Sequence, residues 1–269
     1  MDESNATQWV AQGQFSGLPG EAGTMALPPE PARTDAPAAS QPEYPDYLVR
    51  HYDWAYLWPV SVWFFDHQPI INAILFGNYR PIMRETLRLL DAPRAGRTLQ
   101  IAGVYGELTP KLAEHIDDLH LIDVAPVQLR AAGRKLAAIG KTARLERMNA
   151  ESLRYADASF DTALMFLLLH EMPRAARLRS LREAIRVVRP GGRLVIAEYG
   201  EARKRHFFHR FAPMRWILTW AEPFLGGFWS EDLNEVLRDC AQAEGRGIRL
   251  DEHVDIFGGF YRVARYTVA

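Results

Sequence analysis

The sequence is poor in the residues that lock a fold covalently: one of its 269 residues, Cys240, is a cysteine. No intrachain disulfide can form, no cysteine-ligated zinc site is available, and a reducing, cytoplasmic setting is expected. A charge excess is also missing, with 32 Lys and Arg against 33 Asp and Glu. That balance excludes a strongly basic nucleic-acid binder, so no nucleic-acid partner is expected. No stretch reaches the roughly 18 uninterrupted apolar residues of a spanning helix. The nearest, Trp54 to Phe65, is broken by Pro59 and ends at Asp66-His67-Gln68. The start, Met1-Asp2-Glu3-Ser4-Asn5, lacks the basic opening and apolar block of a secretory signal.

Residues 1–43 hold six prolines and four glycines, six acids (Asp2, Glu3, Glu21, Glu30, Asp35, Glu43) and one base, Arg33. With no periodic apolar pattern, such a segment cannot bury enough surface to offset its ordering entropy, and an acidic disordered tail is expected. The remaining 226 residues then carry a net +4. Tryptophan is absent between residues 64 and 215, while Trp54, Trp58 and Trp63 precede that gap and Trp216, Trp220 and Trp229 follow it. Pairs four apart (Tyr52 and Tyr56, Trp54 and Trp58, Trp216 and Trp220) are expected to share helix faces. Two readings stand for these aromatic segments. They form a hydrophobic lid over the core, or a lid that also touches lipid or a lipid-like substrate, with Arg210 and Arg215 against anionic headgroups.

From residue 98 short apolar runs alternate with longer amphipathic segments, the pattern of a parallel sheet with crossover helices. Strands are expected at Thr98 to Gly103, Leu119 to Asp123, Leu145 to Asn149, Phe160 to Leu168 and Arg193 to Tyr199. Helices are expected from Leu108 to Ile116, from Pro126 toward Ile139, and after Pro173, where Leu178, Leu181, Ile185 and Val188 make an apolar stripe. Pro190-Gly191-Gly192 is expected to end that last helix. Ser230 is expected to cap another, with Glu231 and Asp232 in its first turn. Ile248 to Phe257 and Phe260 to Val268, joined through Gly258-Gly259, can only make an antiparallel hairpin.

In a doubly wound sheet the first strand-to-helix turn approaches the ligand, and here it reads Gln100-Ile101-Ala102-Gly103-Val104-Tyr105-Gly106. Asp123 stands twenty residues after Gly103 at the end of the second strand, where a carboxylate accepts both hydroxyls of a ribose or simply caps the strand.

These stretches, with the SLRYADASFDTAL run and IRVVRPGGRLVIAEY, resemble the class I S-adenosylmethionine-dependent methyltransferases, and the last two look like the ubiquinone and menaquinone C-methyltransferase branch. The resemblance implies an α/β Rossmann-like fold, with a mostly parallel seven-stranded sheet ending in an antiparallel hairpin. It divides the chain into the tail (1–43), an aromatic helical lid (44–97) and a cofactor-binding domain (98–269). The turn departs from the superfamily pattern: Gln100, Ala102 and Val104 replace an acid and two glycines, only Gly106 is in place, and Tyr105 stands where a small residue is common. The lid, from Pro45-Asp46-Tyr47-Leu48 to Phe76-Gly77-Asn78-Tyr79, the GVYG turn, Leu168-Leu169-His170-Glu171 and the FGGFY hairpin resemble the rhodoquinone biosynthesis family RquA.

That resemblance implies conversion of ubiquinone to rhodoquinone, an amino group replacing a ring methoxy. S-adenosylmethionine is then the nitrogen source, a divalent metal such as manganese takes part, and an isoprenoid quinone is the substrate. Separately, the net +4 beside the two tryptophan-rich segments leads to an expectation of peripheral contact with the inner membrane, on its cytoplasmic face. It implies cofactor contacts from Gln100, Ala102, Gly103, Tyr105, Gly106, Asp123, Asn149 and Glu151. Tyr52, Trp54, Tyr56 and Tyr199 are expected to bind substrate, and His170, Glu171 and Tyr79 to carry catalysis, with metal ligands unknown. A His at this position can act as acid or base or bind a metal with a carboxylate. His170 and Glu171 also read as a helix-capping pair, and each Tyr as core packing. Glu198 is expected to line the substrate side, and His206 and His209 to join Arg203, Lys204 and Arg205 in a solvated basic face. Two further functions remain open at this level: an ordinary methyltransferase acting on a quinol or other apolar aromatic, and a catalytically silent cofactor- or lipid-binding protein.

Overall fold

The computed structural model describes residues 44–91, 95–103, 105–201 and 206–269, the side chain of His209 excepted. The expected tail (1–43), Val104 and the basic run Arg203 to Arg205 lie outside the described residues.

Among the described residues seven strands form one sheet: β1 (Thr98–Ile101), β2 (Leu119–Asp123), β3 (Arg144–Arg147), β4 (Phe160–Phe166), β5 (Val188–Tyr199), β6 (Ile248–Ile256) and β7 (Tyr261–Val268). Their order is β3-β2-β1-β4-β5-β7-β6. The pairs from β3 to β5 are parallel, and β7 runs antiparallel to both β5 and β6. Every residue of β1 and β2 is buried, as expected of central parallel strands covered on both faces. The edge strands β3 (RLER) and β6 (IRLDEHVDI) carry the charges, which blunts both open edges.

The chain before the sheet folds into α1 (Asp46–His51), α2 (Asp53–Tyr56), α3 (Pro59–Phe65), α4 (Gln68–Ile74) and α5 (Tyr79–Leu90). α5 buries Ile82, Met83, Thr86, Leu89 and Leu90 on one face and exposes Arg80, Arg84 and Arg88 on the other. Between the strands lie α6 (Leu108–Ala113), α7 (Pro126–Ala138) and α8 (Arg174–Val187). Beyond β5 come α9 (Phe207–Arg210), α10 (Ala212–Ala221), α11 (Leu225–Trp229) and α12 (Leu233–Ala243).

Three expectations need correction. Trp58 is the N-cap of α3, so it does not share a helix with Trp54, and Tyr52 lies between α1 and α2. Pro59 interrupts the run Trp54 to Phe65 as expected, α2 ending at Tyr56, and opens α3 at N1, where its missing N–H costs nothing. α8 ends at Val187, before the Pro-Gly-Gly, because the chain already pairs as β5 from Val188, with an irregularity opposite Phe160 and Thr162. α12 is capped by Asp232, whose carboxylate accepts from the N–H groups of Asn234 and Glu235, while the Ser230 hydroxyl donates to the Gly227 carbonyl. Asp232 has the better geometry because it sits immediately before the first helical residue. Trp216 and Trp220 do share α10.

The β6–β7 hairpin turns through Phe257, Gly258 and Gly259, all with positive φ. The glycines accommodate this without a Cβ penalty. Gly259 is also approached so closely by Gly200 that a Cβ on the latter would collide with the Gly259 carbonyl.

Candidate active site

A cavity of about 730 Å³ opens at the carboxyl ends of the parallel strands. The strands contribute the residues that follow them: Ala102, Gly103 and Tyr105 after β1, Asp123 to Ala125 at β2, Met148 to Ala150 after β3, and Leu167, Leu168, His170 and Glu171 after β4. Helices α1 to α5 and the end of α10 close the opposite wall. This is where open α/β sheets bind ligands, because crossover helices diverge there and leave backbone N–H groups facing the crevice.

One side of the cavity suits a nucleoside. Asp123 Oδ2 accepts from the Gly103 N–H at 2.7 Å and Oδ1 from the Ala125 N–H at 2.7 Å. Each carboxylate oxygen keeps a second lone pair, which is the capacity two vicinal ribose hydroxyls require. A Cβ on Gly103 would sit 3.1 Å from Asp123 Oδ2, so the absence of a side chain keeps that approach open. Burial pushes the Asp123 carboxyl up to about 6, against the two backbone donors that pull it down. Asn149 lies on the neighbouring wall with its Oδ1 fixed by the Glu151 N–H at 2.9 Å. The residues present therefore fit S-adenosylmethionine, whose nucleoside end Asp123 and the Met148-Asn149-Ala150 wall would hold.

The turn after β1 is braced by the lid. The Tyr79 hydroxyl donates to the Tyr105 carbonyl and accepts from the N–H groups of Glu107 and Leu108, at 3.2, 2.8 and 3.1 Å. Burial raises its pKa to about 12, so it stays a neutral phenol. Tyr105 donates its hydroxyl to the Ala55 carbonyl at 2.6 Å, and its ring stacks on Tyr56 with centroids 5.6 Å apart and 11° between planes. Asp66, just after α3, accepts from the Gly106 N–H at 2.7 Å and from Lys135 Nζ at 2.8 Å, and Lys135 also reaches the Gly106 carbonyl at 2.9 Å. Gln100 is fully buried beneath this turn, donating to the Ala102 carbonyl and accepting from the Thr109 hydroxyl.

The other side carries a buried chain of ionisable groups. Glu198, at the end of β5 and 0 % exposed, accepts from the backbone N–H groups of Leu169, His170 and Tyr199 and holds His170 Nδ1 at 2.7 Å. Burial opposes charge on the imidazole, but the Glu198 carboxylate, with Glu222 and Glu171 nearby, outweighs it and raises His170 to about 9. Burial likewise opposes charge on Glu198, and the His170 cation with its hydrogen bond holds that carboxyl below its usual range. His170 Nε2 faces Glu171 Oε1 at 4.0 Å, and the Tyr56 hydroxyl donates to Glu171. Burial lifts the Glu171 carboxyl well above the ordinary carboxylate range, assisted by Glu222 and opposed by His170. The Tyr52 hydroxyl donates to Glu222 at 2.9 Å, and Tyr199 sets its ring edge-on to His170 at 4.7 Å.

Of the residues singled out in the sequence, Tyr52, Trp54, Tyr56, Tyr79, Ala102, Gly103, Tyr105, Asp123, Asn149, His170, Glu171 and Tyr199 all line the cavity. Gln100, Gly106 and Glu151 lie behind its wall, the Glu151 carboxylate pairing with Arg179. Glu198, expected on the substrate side, instead sits beneath His170 and is sealed from the cavity. His206 is half-buried, packing on Phe257 and Phe260 and capping α9 by accepting from the Phe208 N–H, while the basic run expected beside it lies outside the described residues. Sequence reasoning missed Glu222, Asp66 and Lys135. Each finds its partners at least 29 residues away, Lys135 on Gly106 being the shortest span, so no local pattern marks them.

A manganese ion does not fit the donors. Among the described residues no group of three His, Cys, Asp or Glu side chains is arranged to hold a metal. His170 Nδ1 is spent on Glu198, and the Tyr56 phenol occupies Glu171.

Comparison with known proteins agrees with this geometry. Residues 99–192 match the family described as methyltransferase domain. Over 138 residues the chain is 30% identical to the ubiquinone/menaquinone biosynthesis C-methyltransferase UbiE of Enterobacter sp. (strain 638), covering 49% of this chain and 54% of that protein. The likeness thus spans about half the length of such relatives. Among solved structures, the N-methyltransferase NodS from Bradyrhizobium japonicum WM9, in complex with S-adenosyl-L-homocysteine, superposes with a TM-score of 0.52 at 18% identity, covering 76% of this chain and 90% of that one. The mitomycin 7-O-methyltransferase MmcR superposes with a TM-score of 0.54 at 17% identity over 77% of this chain and 60% of that one. Residues 99–192 are thus similar to a methyltransferase domain, a likeness that supports an S-adenosylmethionine-dependent transferase, and the chain shares the Rossmann-like fold of these solved structures.

Proposed function

We propose that the protein is an S-adenosylmethionine-dependent enzyme of quinone metabolism that exchanges a ring methoxy group of ubiquinone for an amino group. The observation that carries the reading is the continuity of one cavity. It runs from the Asp123 ribose acceptor to a wall of aromatic rings with a buried acid, Glu171, facing in. The likeness to UbiE enzymes supports a quinone as substrate. The resemblance of the lid, the GVYG turn and the hairpin to the RquA family supports amino transfer over methylation.

When bound, S-adenosylmethionine would supply the amino nitrogen, which takes the ring position that the methoxy group leaves as methanol and is freed by cleavage of its bond to the cofactor's α-carbon; the chain's own residues bind the ring and move the proton. Tyr52 and Tyr56, whose hydroxyls donate to Glu222 and Glu171 and whose burial keeps them neutral phenols, present their rings with Tyr199 as flat apolar walls for a quinone. Glu171, held protonated by burial, is placed to give a proton to the departing methoxy oxygen. His170, fixed as a cation by Glu198, orients Glu171 and restores its proton. No step is routed through a metal.

Incubating the full chain with S-adenosylmethionine and a short-chain ubiquinone, with and without manganese, tests the reading by mass spectrometry. A product lighter by the difference between methoxy and amino supports it. A second reading, favoured by the UbiE likeness, is methylation of a quinol, and it gives a product heavier by one methylene. An unmodified ring leaves the silent binding protein.

A further inference from the structure

The cavity does not end in a polar rim. Trp54, Ile74 and Trp220 line it and are at the same time exposed, so its apolar wall continues onto the outer surface. On one lip α3 shows Val60, Trp63 (64% exposed) and Phe64 to solvent, with its cap Trp58 at 56%. On the other, α10 turns Trp216 (68%), Ile217 and Trp220 (75%) outward and buries only Leu218. Scattered exposed apolar residues are ordinary, but a large patch gathered around a cavity mouth marks an interaction surface.

The charges beside the patch point to the occupant. The run Trp54 to Phe65 has no charged residue, and Phe207 to Ala221 has Arg210 and Arg215, both exposed, and no acid. Tryptophan rings at the rim with arginines beside them match a lipid interface, where the indoles sit at headgroup level and the guanidinium groups meet phosphates. We propose that this rim docks on an anionic bilayer surface, seating the cavity mouth so that a substrate with an isoprenoid tail enters from the hydrocarbon without crossing water. The proposal rests on the reading of the cavity as a quinone site. Neither lip is long enough to span the bilayer, so the contact is peripheral.

The test uses the full chain with vesicles of phosphatidylcholine alone or mixed with phosphatidylglycerol, read by flotation and by quenching of tryptophan fluorescence with brominated lipids. The expected result is partition to the anionic vesicles, quenching by lipids brominated near the glycerol, and weakening as the Debye length falls from about 10 Å at 0.1 M salt to about 3 Å at 1 M. Trp216→Ala, and separately Trp58→Ala with Trp63→Ala, lie outside the cavity wall. Each set is expected to lower partition by about tenfold, with unchanged circular dichroism and unchanged S-adenosylmethionine affinity. A chain that stays unfloated at low salt overturns the proposal, as do variants that partition like the native protein. So does lipid-independent self-association lost in the same variants, which would assign the rim to a second copy. Turnover of a short-chain quinone free in solution separates the two claims. Turnover without vesicle binding sinks only the docking surface, and vesicle binding without turnover sinks only the quinone chemistry.

Discussion

Glu198 holds His170 Nδ1 at 2.7 Å at the end of β5, and the same carboxylate accepts from three backbone N–H groups around it. One buried acid therefore fixes both the imidazole and the turn after β4 that carries Glu171. Removing it leaves a buried imidazolium and three donors unanswered. Glu198→Ala is expected to destabilise the fold by about 3–5 kcal/mol, measured by urea denaturation, and the conservative Glu198→Gln to recover part of that loss.

The same pair sets a pH dependence. His170 has its pKa raised to about 9 in the folded chain, so its contribution to stability is fully present below its unfolded value and is lost as pH rises through about 9. Glu198 is held below its usual value, so its contribution is lost only as pH falls through that depressed value. Thermal melts from pH 6.5 to 10 should show declining stability for the native chain, and a shallower decline for His170→Gln.

Catalysis and cofactor binding should separate at the two ends of the cavity. His170→Ala is expected to lower turnover with little change in S-adenosylmethionine affinity, since His170 touches Glu198 and Glu171 and not the Asp123 wall. Unchanged turnover would remove His170 from the mechanism.

Asp123→Ala takes away the ribose acceptor, and loss of charge-assisted hydrogen bonds worth about 1.5–3 kcal/mol corresponds to roughly 10- to 150-fold weaker S-adenosylmethionine binding by calorimetry. The Asp123 carboxyl is pushed up to about 6, so native affinity should fall as pH drops through that value and the acceptor is protonated. Affinity flat from pH 5 to 8 would contradict the assignment.

The parallel strands and the hairpin were legible because Leu99 and Ile101 in β1 and Leu119, Leu121 and Ile122 in β2 make short apolar runs and because two linking glycines permit no crossover. Asp123 was legible through its spacing from Gly103, and the aromatic lid through its tryptophans. The supports were not. Tyr79 stands out in the sequence as a catalytic candidate, but nothing there shows its hydroxyl gathering Glu107, Leu108 and Tyr105, and Glu222 meets Tyr52 across 170 residues of sequence. Such pairings are set by tertiary packing, which leaves no local period to read.

Tyr79 shows how far the turn depends on them. Tyr79→Phe removes one donor and two accepted bonds and should weaken S-adenosylmethionine binding several-fold while preserving the fold, by calorimetry and circular dichroism. Gly106→Ala should be worse, because φ is +83° there and its Cβ would lie 2.5 Å from the Tyr79 hydroxyl.

The most direct measurement is the mass of a short-chain ubiquinone after incubation with the protein and S-adenosylmethionine. A product in which amino replaces methoxy, absent with Asp123→Ala, is the expected result; a methylated ring or an unmodified one contradicts the account.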